Sequence, residues 1–292
     1  MHQLDRLDVL SRKILQGKLH GERRSKRKGQ SIEFADYRPY VVGDDLRRID
    51  WNLYARLDKL FLRLFLEEED LSVSILLDVS RSMDFGRPAE HNKLLYAKRV
   101  AAALGYIGLV NLNRVHLYSF THTLDHWINN LRGRRPLPRL LRFLEDQAPP
   151  TERVSGDLAN VCKRFALLQR AKGVVIIISD FLDKGDLAEA LKYLAADRYD
   201  VFALQLLAPE ELDPVKGHVI GDLRLRDIED GDTAEVTITP ALLKRYQTSL
   251  DAFRQRVRGA CLKRGIAYLF SDTRSGFQDL ILKYLRRRGL VG

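Results

Sequence analysis

The sequence predicts an α/β fold in which a mostly parallel sheet carries helices on both faces. Two nearly continuous apolar runs, at 72–77 and 174–178, are typical of strands that are buried on both sides. Helical patterns alternate with these and other strands, which is the order expected of a parallel sheet. Of the 292 residues, 45% are hydrophobic and 30% are charged. This globular composition excludes collagen-like and mainly disordered chains.

The elements follow one another in a regular order after an irregular start. The spacing of leucines at 4–19 predicts a short amphipathic helix, and a basic, glycine-bounded loop follows at 21–29. Residues 31–60 mix aromatics, prolines and charges, so we expect an irregular segment with one short helix near 44–57. Beyond it we expect strands at 61–68, 72–77, 114–120, 123–128, 174–178, 200–207 and 266–271, helices at 91–110, 137–147, 157–170, 186–196, 240–264 and 277–288, and a hairpin at 218–238.

The net charge of +10 comes from the two ends of the chain. Residues 1–30 hold nine Lys or Arg and three Asp or Glu, and residues 281–292 hold four Lys or Arg and no acid. Basic ends attract nucleic acid, anionic membranes or acidic proteins, and they can equally be solvated tails. The sequence lacks a signal-peptide core and an apolar run long enough for a membrane helix. Its two cysteines, Cys162 and Cys261, lie far apart, so we expect a cytoplasmic protein.

Acidic and hydroxyl side chains follow both apolar runs. Asp78, Ser80 and Ser82 come directly after the first run, and Asp180 comes after the second. Because ligands of parallel sheets bind outside the carboxyl ends of the strands, these side chains meet if the two strands are neighbours. Such oxygen ligands suit a hard cation such as Mg²⁺, whereas each aspartate taken alone could be a helix N-cap. The combined pattern predicts a divalent-cation site with the ligands Asp78, Ser80, Ser82 and Asp180.

Two segments resemble known families. Residues 71–82, LSVSILLDVSRS, resemble the start of a von Willebrand factor A-like domain and match its metal-ion-dependent adhesion site. The block SIEFADYRPY at 31–40, with GDDLRRIDW at 43–51, resembles the bacterial and archaeal domain-of-unknown-function family fifty-eight, over nearly the whole chain. The resemblance implies a Rossmann-like sheet with an irregular N-terminal segment and a C-terminal hairpin-helix insertion. It divides the chain into a basic helix and loop at 1–30, a family-specific segment at 31–70 packed on the core, and a von Willebrand factor A-like domain at 71–292 with an insertion at 209–264.

The resemblance also implies a metal and partners. A threonine ligand is expected between the two acidic positions, but Gly156 stands there, so Ser155, Asp157 or Thr151 is left to supply that oxygen. The implied cofactor is Mg²⁺, with Mn²⁺ or Ca²⁺ as alternatives, and a partner's carboxylate completes its shell. The implied partners are a MoxR-type AAA+ ATPase and the client proteins that the pair matures or remodels. We therefore expect an adaptor without a reaction of its own.

Two other functions stay open at this point. The basic ends could bind nucleic acid or the surface of an anionic membrane, although the missing aromatic stacking platform argues against nucleic acid. The cation could instead activate water for hydrolysis. His116, His122 and His126 lack the spacing of metal-hydrolase motifs, and phosphate-binding and serine-hydrolase loops are missing from the sequence.

The family-specific block combines aromatic and charged residues. Aromatic and arginine side chains often anchor protein interfaces. The aspartates of the block could instead pair with its arginines and fix the segment on the sheet. The two roles are compatible. The residues assigned to partner binding are Tyr37, Arg38, Tyr40, Arg47, Trp51 and Arg56.

Overall fold

The structure, a computed structural model, describes residues 33–66, 71–152, 155–195, 199–214, 222–226, 233–237 and 239–281. The chain divides into two compact units, one formed by residues 19–70 and the other by residues 1–18 together with 71–292. Three expected features lie outside the described residues: the helix at 4–19, the loop at 21–29 and the turn of the hairpin at 218–238. The expected final helix is described only as far as residue 281.

The smaller unit contains a two-stranded antiparallel sheet and a helix. Strand β1, Glu33–Pro39, pairs with strand β2, Phe61–Leu66. Helix α1, Trp51–Leu57, lies in the connection between them, within the range where a short helix is expected. The expectation of an irregular segment at 31–60 is wrong for β1. That strand is stabilised by pairing with a distant part of the chain, which local periodicity does not reveal.

The larger unit is built on a six-stranded sheet that is mostly parallel and flanked by helices, which confirms the α/β arrangement that the sequence predicts. Its strands, together with those of a separate hairpin, are β3 (Ser72–Asp78), β4 (Arg114–Phe120), β5 (Leu124–Leu131), β6 (Gly173–Ser179), β7 (Tyr199–Leu207), β8 (Asp222–Arg226), β9 (Thr233–Thr237) and β10 (Ala267–Asp272). The strand order in the sheet is β10-β7-β6-β3-β4-β5, and all neighbours are parallel except β4 and β5. The two apolar runs form β3 and β6, which are buried throughout and lie side by side.

Helices cover both faces of this sheet. They are α2 (Lys93–Val110), α3 (Leu137–Asp146), α4 (Leu158–Leu168), α5 (Leu187–Lys192), α6 (Pro209–Leu212), α7 (Pro240–Leu262) and α8 (Phe277–Asp279). Alternate residues of β3 point to opposite faces, so Val73, Ile75 and Leu77 pack in one cluster with α2 and α3. Leu76 packs in the other cluster, with α4, α5 and α7. Within the part of the chain that the structure describes, none of the helices has the length and apolar character that crossing a membrane requires.

Candidate cation site at the ends of strands β3 and β6

The carboxyl ends of β3 and β6 bring two acidic side chains to one edge of the sheet. The strands are parallel neighbours, and Leu77 of β3 pairs with Ile178 of β6. Asp78 therefore ends its strand beside Ser179, and Asp180 is the next residue along the chain. Both carboxylates are almost completely buried. This is the edge at which ligands of parallel α/β folds bind.

Asp78 is held by hydrogen bonds, and the described residues supply it with no counter-charge. Its Oδ1 accepts a hydrogen bond of 2.9 Å from the Ser80 N–H, and its Oδ2 accepts one of 2.5 Å from the Ser179 hydroxyl. Burial, and after it the nearby charge of Asp180, raises the pKa of Asp78 to about 7. Among the described residues, no basic side chain pairs with Asp78. Either a proton or a cation relieves this unfavourable charge.

The cleft beside Asp78 is small and rich in oxygen atoms. The hydroxyl oxygens of Ser80 and Ser82 lie 3.0 Å apart at its edge. Its enclosed volume is about 20 Å³, which is room for one species the size of a water molecule. The residues that line it are Asp78, Ser80, Ser82, Phe120, Thr121, Gly156, Leu158, Ser179, Asp180, Phe181 and Asp183.

Asp180 differs from Asp78 because a buried lysine neutralises it. The Lys93 Nζ donates hydrogen bonds of 2.7 Å to Asp180 Oδ2 and 2.6 Å to Glu211 Oε1. Burial by itself would lower the pKa of Lys93, but the two carboxylates outweigh burial and raise it. When ionised, Asp78, Asp180 and Glu211 carry three negative charges against the single positive charge of Lys93. A divalent cation would balance the remaining two, before the carboxylate of Asp183, which also lines the cleft, is counted.

Gly156 occupies the position where the resemblance predicts a threonine. A Cβ at Gly156 would lie 3.3 Å from Asp183 Oδ2, so the side chain of Asp183 already fills that space. Asp183 accepts hydrogen bonds of 2.6 Å from the N–H groups of Leu158 and Gly185. It also lines the cleft. A carboxylate from the loop after β6 therefore takes the place of the expected hydroxyl.

The three residues considered as substitutes for that threonine lie elsewhere. Asp157 accepts a hydrogen bond of 2.9 Å from the Asn160 N–H and caps α4, a common role of aspartate at the start of a helix. Ser155 and Thr151 are exposed. None of the three is among the residues that line the cleft.

Sequence patterns do not identify Lys93, Glu211 or Asp183 as part of this region. Lys93 pairs with residues 87 and 118 positions away, so no local motif marks it. Its one signal is its place in the first turn of an otherwise largely apolar helix, where a buried charge needs a partner. A further sign of function appears only in three dimensions. The buried Phe181, directly after Asp180, has the left-handed backbone angle φ 60°, a strained conformation that concentrates at functional sites.

The donor set fits a hard divalent cation. The lining offers the carboxylates of Asp78, Asp180 and Asp183 and the hydroxyls of Ser80 and Ser82, which are the oxygen ligands that Mg²⁺ and Ca²⁺ prefer, and it leaves negative charge for an ion to balance. Within the described residues, no three His, Cys, Asp or Glu side chains come together as a metal-binding group. The expected site has only two acidic ligands, Asp78 and Asp180, and its other two ligands are serines. It would therefore not form such a group of three.

The six residues assigned to partner binding separate into two groups within the smaller unit. The Tyr37 hydroxyl donates to Asp50 Oδ2 at 3.0 Å, and an Arg38 guanidinium N–H donates to Asp44 Oδ1 at 2.7 Å. These two side chains therefore make internal contacts of the kind expected from the structural interpretation. Tyr40 is half-buried. Tyr37 is nevertheless 39% exposed, and the other exposed members of the set are Arg47, Trp51 and Arg56.

Asp50 is the centre of the contacts in the smaller unit. Its Oδ1 accepts hydrogen bonds from the N–H groups of Asn52 and Leu53, at 2.9 and 3.0 Å, and so caps α1. Its Oδ2 accepts from Tyr37 and, at 2.8 Å, from Arg63 Nε. The hydrogen bond from Arg63, followed by that from the Leu53 N–H, holds the pKa of Asp50 well below its usual range. The ionised Asp50 carboxylate therefore stabilises the folded protein fully at neutral pH. This contribution to the free energy of unfolding is lost as the pH falls below about 4, the pKa of an unfolded aspartate.

Asp50→Ala is expected to open the segment around α1. The variant loses both helix-capping bonds and the contacts with Tyr37 and Arg63. Trypsin should therefore cut after Arg47 or Arg56 about tenfold faster than in the wild type, because cleavage follows the population of the open state. Asp58→Asn is the matched control, since it changes an exposed aspartate just after α1. Equal cleavage rates in Asp50→Ala and the wild type would contradict the assigned role.

Comparisons with known proteins place the chain in a family. It is 28% identical over 287 residues to an uncharacterized protein of Mycobacterium tuberculosis (strain ATCC 25618 / H37Rv), covering 98% of this chain and 89% of the relative. An uncharacterized protein of Mycobacterium avium is 31% identical over 163 residues, covering 55% of this chain and 94% of the relative.

Two solved structures are also similar to this chain. A conserved hypothetical protein, BatB from Bacteroides thetaiotaomicron, has 18% identity and a TM-score of 0.46. An aerotolerance-related membrane protein from Bacteroides fragilis has 15% identity and a TM-score of 0.44. Each comparison covers 75% of this chain and 98% of the other. The family model described as "Protein of unknown function DUF58" matches residues 36–257. Because that match spans well over half of the chain, this protein belongs to the DUF58 family.

Proposed function

We propose that this protein is a non-enzymatic module that binds other proteins through a divalent cation, and that its larger unit is a von Willebrand factor A-like domain. One observation carries the proposal. Asp78 and Asp180 converge at the ends of adjacent strands, and of the two only Asp180 has a basic partner among the described residues. The position of the cleft, outside the carboxyl ends of parallel strands, supports a ligand-binding role.

The chain's own residues have separate roles in this proposal. Asp78, Ser80, Ser82 and Asp180 would hold Mg²⁺, or Mn²⁺ or Ca²⁺ in its place. The bound cation would supply an open coordination position for the carboxylate of a partner. The hydroxyl of Ser179 orients Asp78, while Lys93 neutralises Asp180. Because Lys93 removes negative charge from the site, more of the cation's attraction is left for an acidic partner.

The proposed partner is a MoxR-type AAA+ ATPase that acts with this chain on client proteins in the cytoplasm. The resemblance to family fifty-eight supports the pairing, and the open coordination position of a bound cation would accept a carboxylate of the partner. A hydrolase would need a general base beside the cation. The carboxylate of Asp183 lies in the cleft, but its oxygens already accept hydrogen bonds from the N–H groups of Leu158 and Gly185. The basic ends, on which the nucleic-acid and membrane alternative depends, lie outside the described residues.

Asp78→Asn is expected to abolish stabilisation by Mg²⁺ while preserving the fold. The amide can keep both hydrogen bonds, since its oxygen accepts from the Ser80 N–H and its nitrogen can donate to the Ser179 hydroxyl. Because a buried charge is removed, the variant should unfold in EDTA at the same temperature as the wild type or above it. With Mg²⁺ at one hundred times its Kd, the wild type should gain about 2.7 kcal/mol, or roughly 5–11 °C, and the variant should gain nothing.

Asp157→Asn is the matched control for this experiment. It removes an exposed carboxylate close to the cleft in sequence, and asparagine caps a helix as well as aspartate does, so the full response to Mg²⁺ should remain. Calorimetry with Mg²⁺ alone that detects no binding to the wild type would contradict the proposal. With the purified ATPase as titrant, binding should require Mg²⁺ and should be lost in Asp78→Asn. Binding of equal strength in EDTA would show that the cation does not mediate the contact.

A further inference from the structure

The smaller unit exposes many of its large hydrophobic side chains. Among its described side chains, the buried hydrophobic ones are Ile49 and Leu62, and helix α1 buries none of its residues. Apolar exposure concentrated in so short a segment is typical of a binding site. Tyr37 is 39% exposed, but its hydroxyl is bonded to Asp50. The other exposed large hydrophobic side chains, called the apolar surface below, are Val41 (60% exposed), Val42 (93%), Leu46 (58%), Trp51 (60%), Tyr54 (39%) and Leu57 (53%).

Half of the apolar surface lies along α1. Trp51, Tyr54 and Leu57 recur every three residues, so they share one side of the helix. The rings of Trp51 and Tyr54 meet edge to face, with their centroids 6.2 Å apart. The other members lie before the helix, in the loop after β1 and in the 3-10 turn at Leu46–Arg48.

Polar contacts hold the segment that carries the apolar surface. Asp44 Oδ2 accepts a hydrogen bond of 3.0 Å from the Val41 N–H and so closes the loop after β1. The other oxygen of Asp44 is paired with Arg38 at 2.7 Å. Asp50 caps α1 and is paired with Arg63. A seven-residue helix that buries none of its side chains is not stable by itself. These contacts therefore preorganise the surface, which reduces the entropy that binding costs.

We propose that the apolar surface docks onto a partner protein that offers an apolar groove with acidic side chains at its rim. Residues 37–63 carry six basic and four acidic side chains. Two of the basic side chains are already paired with buried aspartates. Arg47, Arg56 and Lys59 are exposed, beside the exposed Asp45 and Asp58. The excess is positive, so an acidic rim complements it.

The residue types favour a protein over the other occupants of such a surface. Tryptophan, tyrosine and arginine are enriched among the anchors of protein interfaces. A second copy of this chain would bring the same excess of positive charge against itself across a two-fold interface. The docking surface goes beyond the proposed function, because it uses none of the residues of the cation site.

The first step of the test is site-specific cross-linking in the native cell. A photoreactive side chain at position 42 of the full-length protein should cross-link to one protein, which is identified by mass spectrometry and then purified. The matched control is position 167, since Leu167 is 67% exposed and lies on α4 of the other unit. The same cross-link from position 167, a cross-link to a second copy of this chain, or no cross-link from position 42 would overturn the proposal.

The second step is titration of the purified partner against matched variants. Trp51→Ala and Val42→Ser should each bind about tenfold more weakly or worse, whereas Leu167→Ser should bind like the wild type. Arg56→Glu should weaken binding most at low salt. The proposal would be overturned if Trp51→Ala and Val42→Ser both bound the partner with wild-type affinity. It would also be overturned if the wild-type protein floated with phosphatidylglycerol vesicles and Trp51→Ala did not, because the surface would then bind lipid.

Two controls separate this proposal from folding defects and from the cation site. Because Trp51 and Val42 are largely exposed, thermal unfolding of both variants should match the wild type. The titrations are repeated in EDTA and in the Asp78→Asn background. If Trp51→Ala binds the partner more weakly than the unsubstituted protein under those conditions, the docking surface is supported. This holds even if binding of the partner turns out not to require Mg²⁺.

Discussion

Replacing Lys93 by methionine is expected to lower the free energy of unfolding by about 3–5 kcal/mol, because the loss of one partner leaves buried charges without compensation. Lys93 is completely buried, and its Nζ lies 2.7 Å from Asp180 Oδ2 and 2.6 Å from Glu211 Oε1. Methionine fills a similar space, so the missing charge dominates the effect. The melting temperature, measured by calorimetry, should fall by about 6–20 °C.

Lys98→Met is the matched control for the buried lysine. Lys98 lies on the same helix but is only partly buried, and its Nζ donates to the backbone carbonyl of Glu145. Its replacement should cost less than about 1 kcal/mol. The double variant Lys93→Met/Glu211→Gln should recover part of the lost stability, because one of the two orphaned charges is then removed. A Lys93→Met protein that melts like the wild type would contradict the assigned counter-ion role.

Gly173→Ala is expected to destabilise the larger unit by about 3 kcal/mol or more, since an added methyl group has no space between the two central strands. Gly173 begins β6 opposite Ser72 of β3. A Cβ there would lie 2.0 Å from the Ser72 carbonyl oxygen and 2.8 Å from its carbonyl carbon. Backbone atoms cannot rotate away as a side chain can, so the strands themselves must separate. The melting temperature should fall by about 6–12 °C or more.

Gly259→Ala is a control with the opposite expected sign. Gly259 lies inside helix α7, and a Cβ there would meet no atom within 4 Å. Alanine should therefore stabilise the protein by about 0.5–1 kcal/mol through its better helix propensity. If both substitutions shift the melting temperature in the same direction, the close packing of β3 against β6 is not the cause of the effect at Gly173.

Local sequence patterns are sufficient to predict the strands that carry the candidate site. The sequences of β3 and β6 are continuous apolar runs because helices cover both faces of these strands, so nearly every side chain in them is buried. Asp78 and Asp180 stand out for the same reason, since they are the first acidic residues after these runs. The spacing of Ser80 and Ser82 then indicates oxygen ligands.

The smaller unit shows where local patterns are insufficient. The residue types of its block are compatible with both an interface and an internal network, and the contacts show which side chains take part in the network. Tyr37 and Arg38 belong to the network around Asp50 and Asp44, whereas Trp51 is exposed. The periodicity of residues 33–39 likewise does not predict strand β1, because its hydrogen-bond partners lie in β2, after the helix.

The order of apolar and polar residues along the chain thus defines its α/β architecture and marks two aspartates at strand ends, because burial of a strand leaves its signature in adjacent positions. Which charges are neutralised is a property of the folded molecule alone. Lys93 and Glu211 reach Asp180 from elements far apart in the chain, and electrostatic partners depend on distance in space rather than on spacing in sequence.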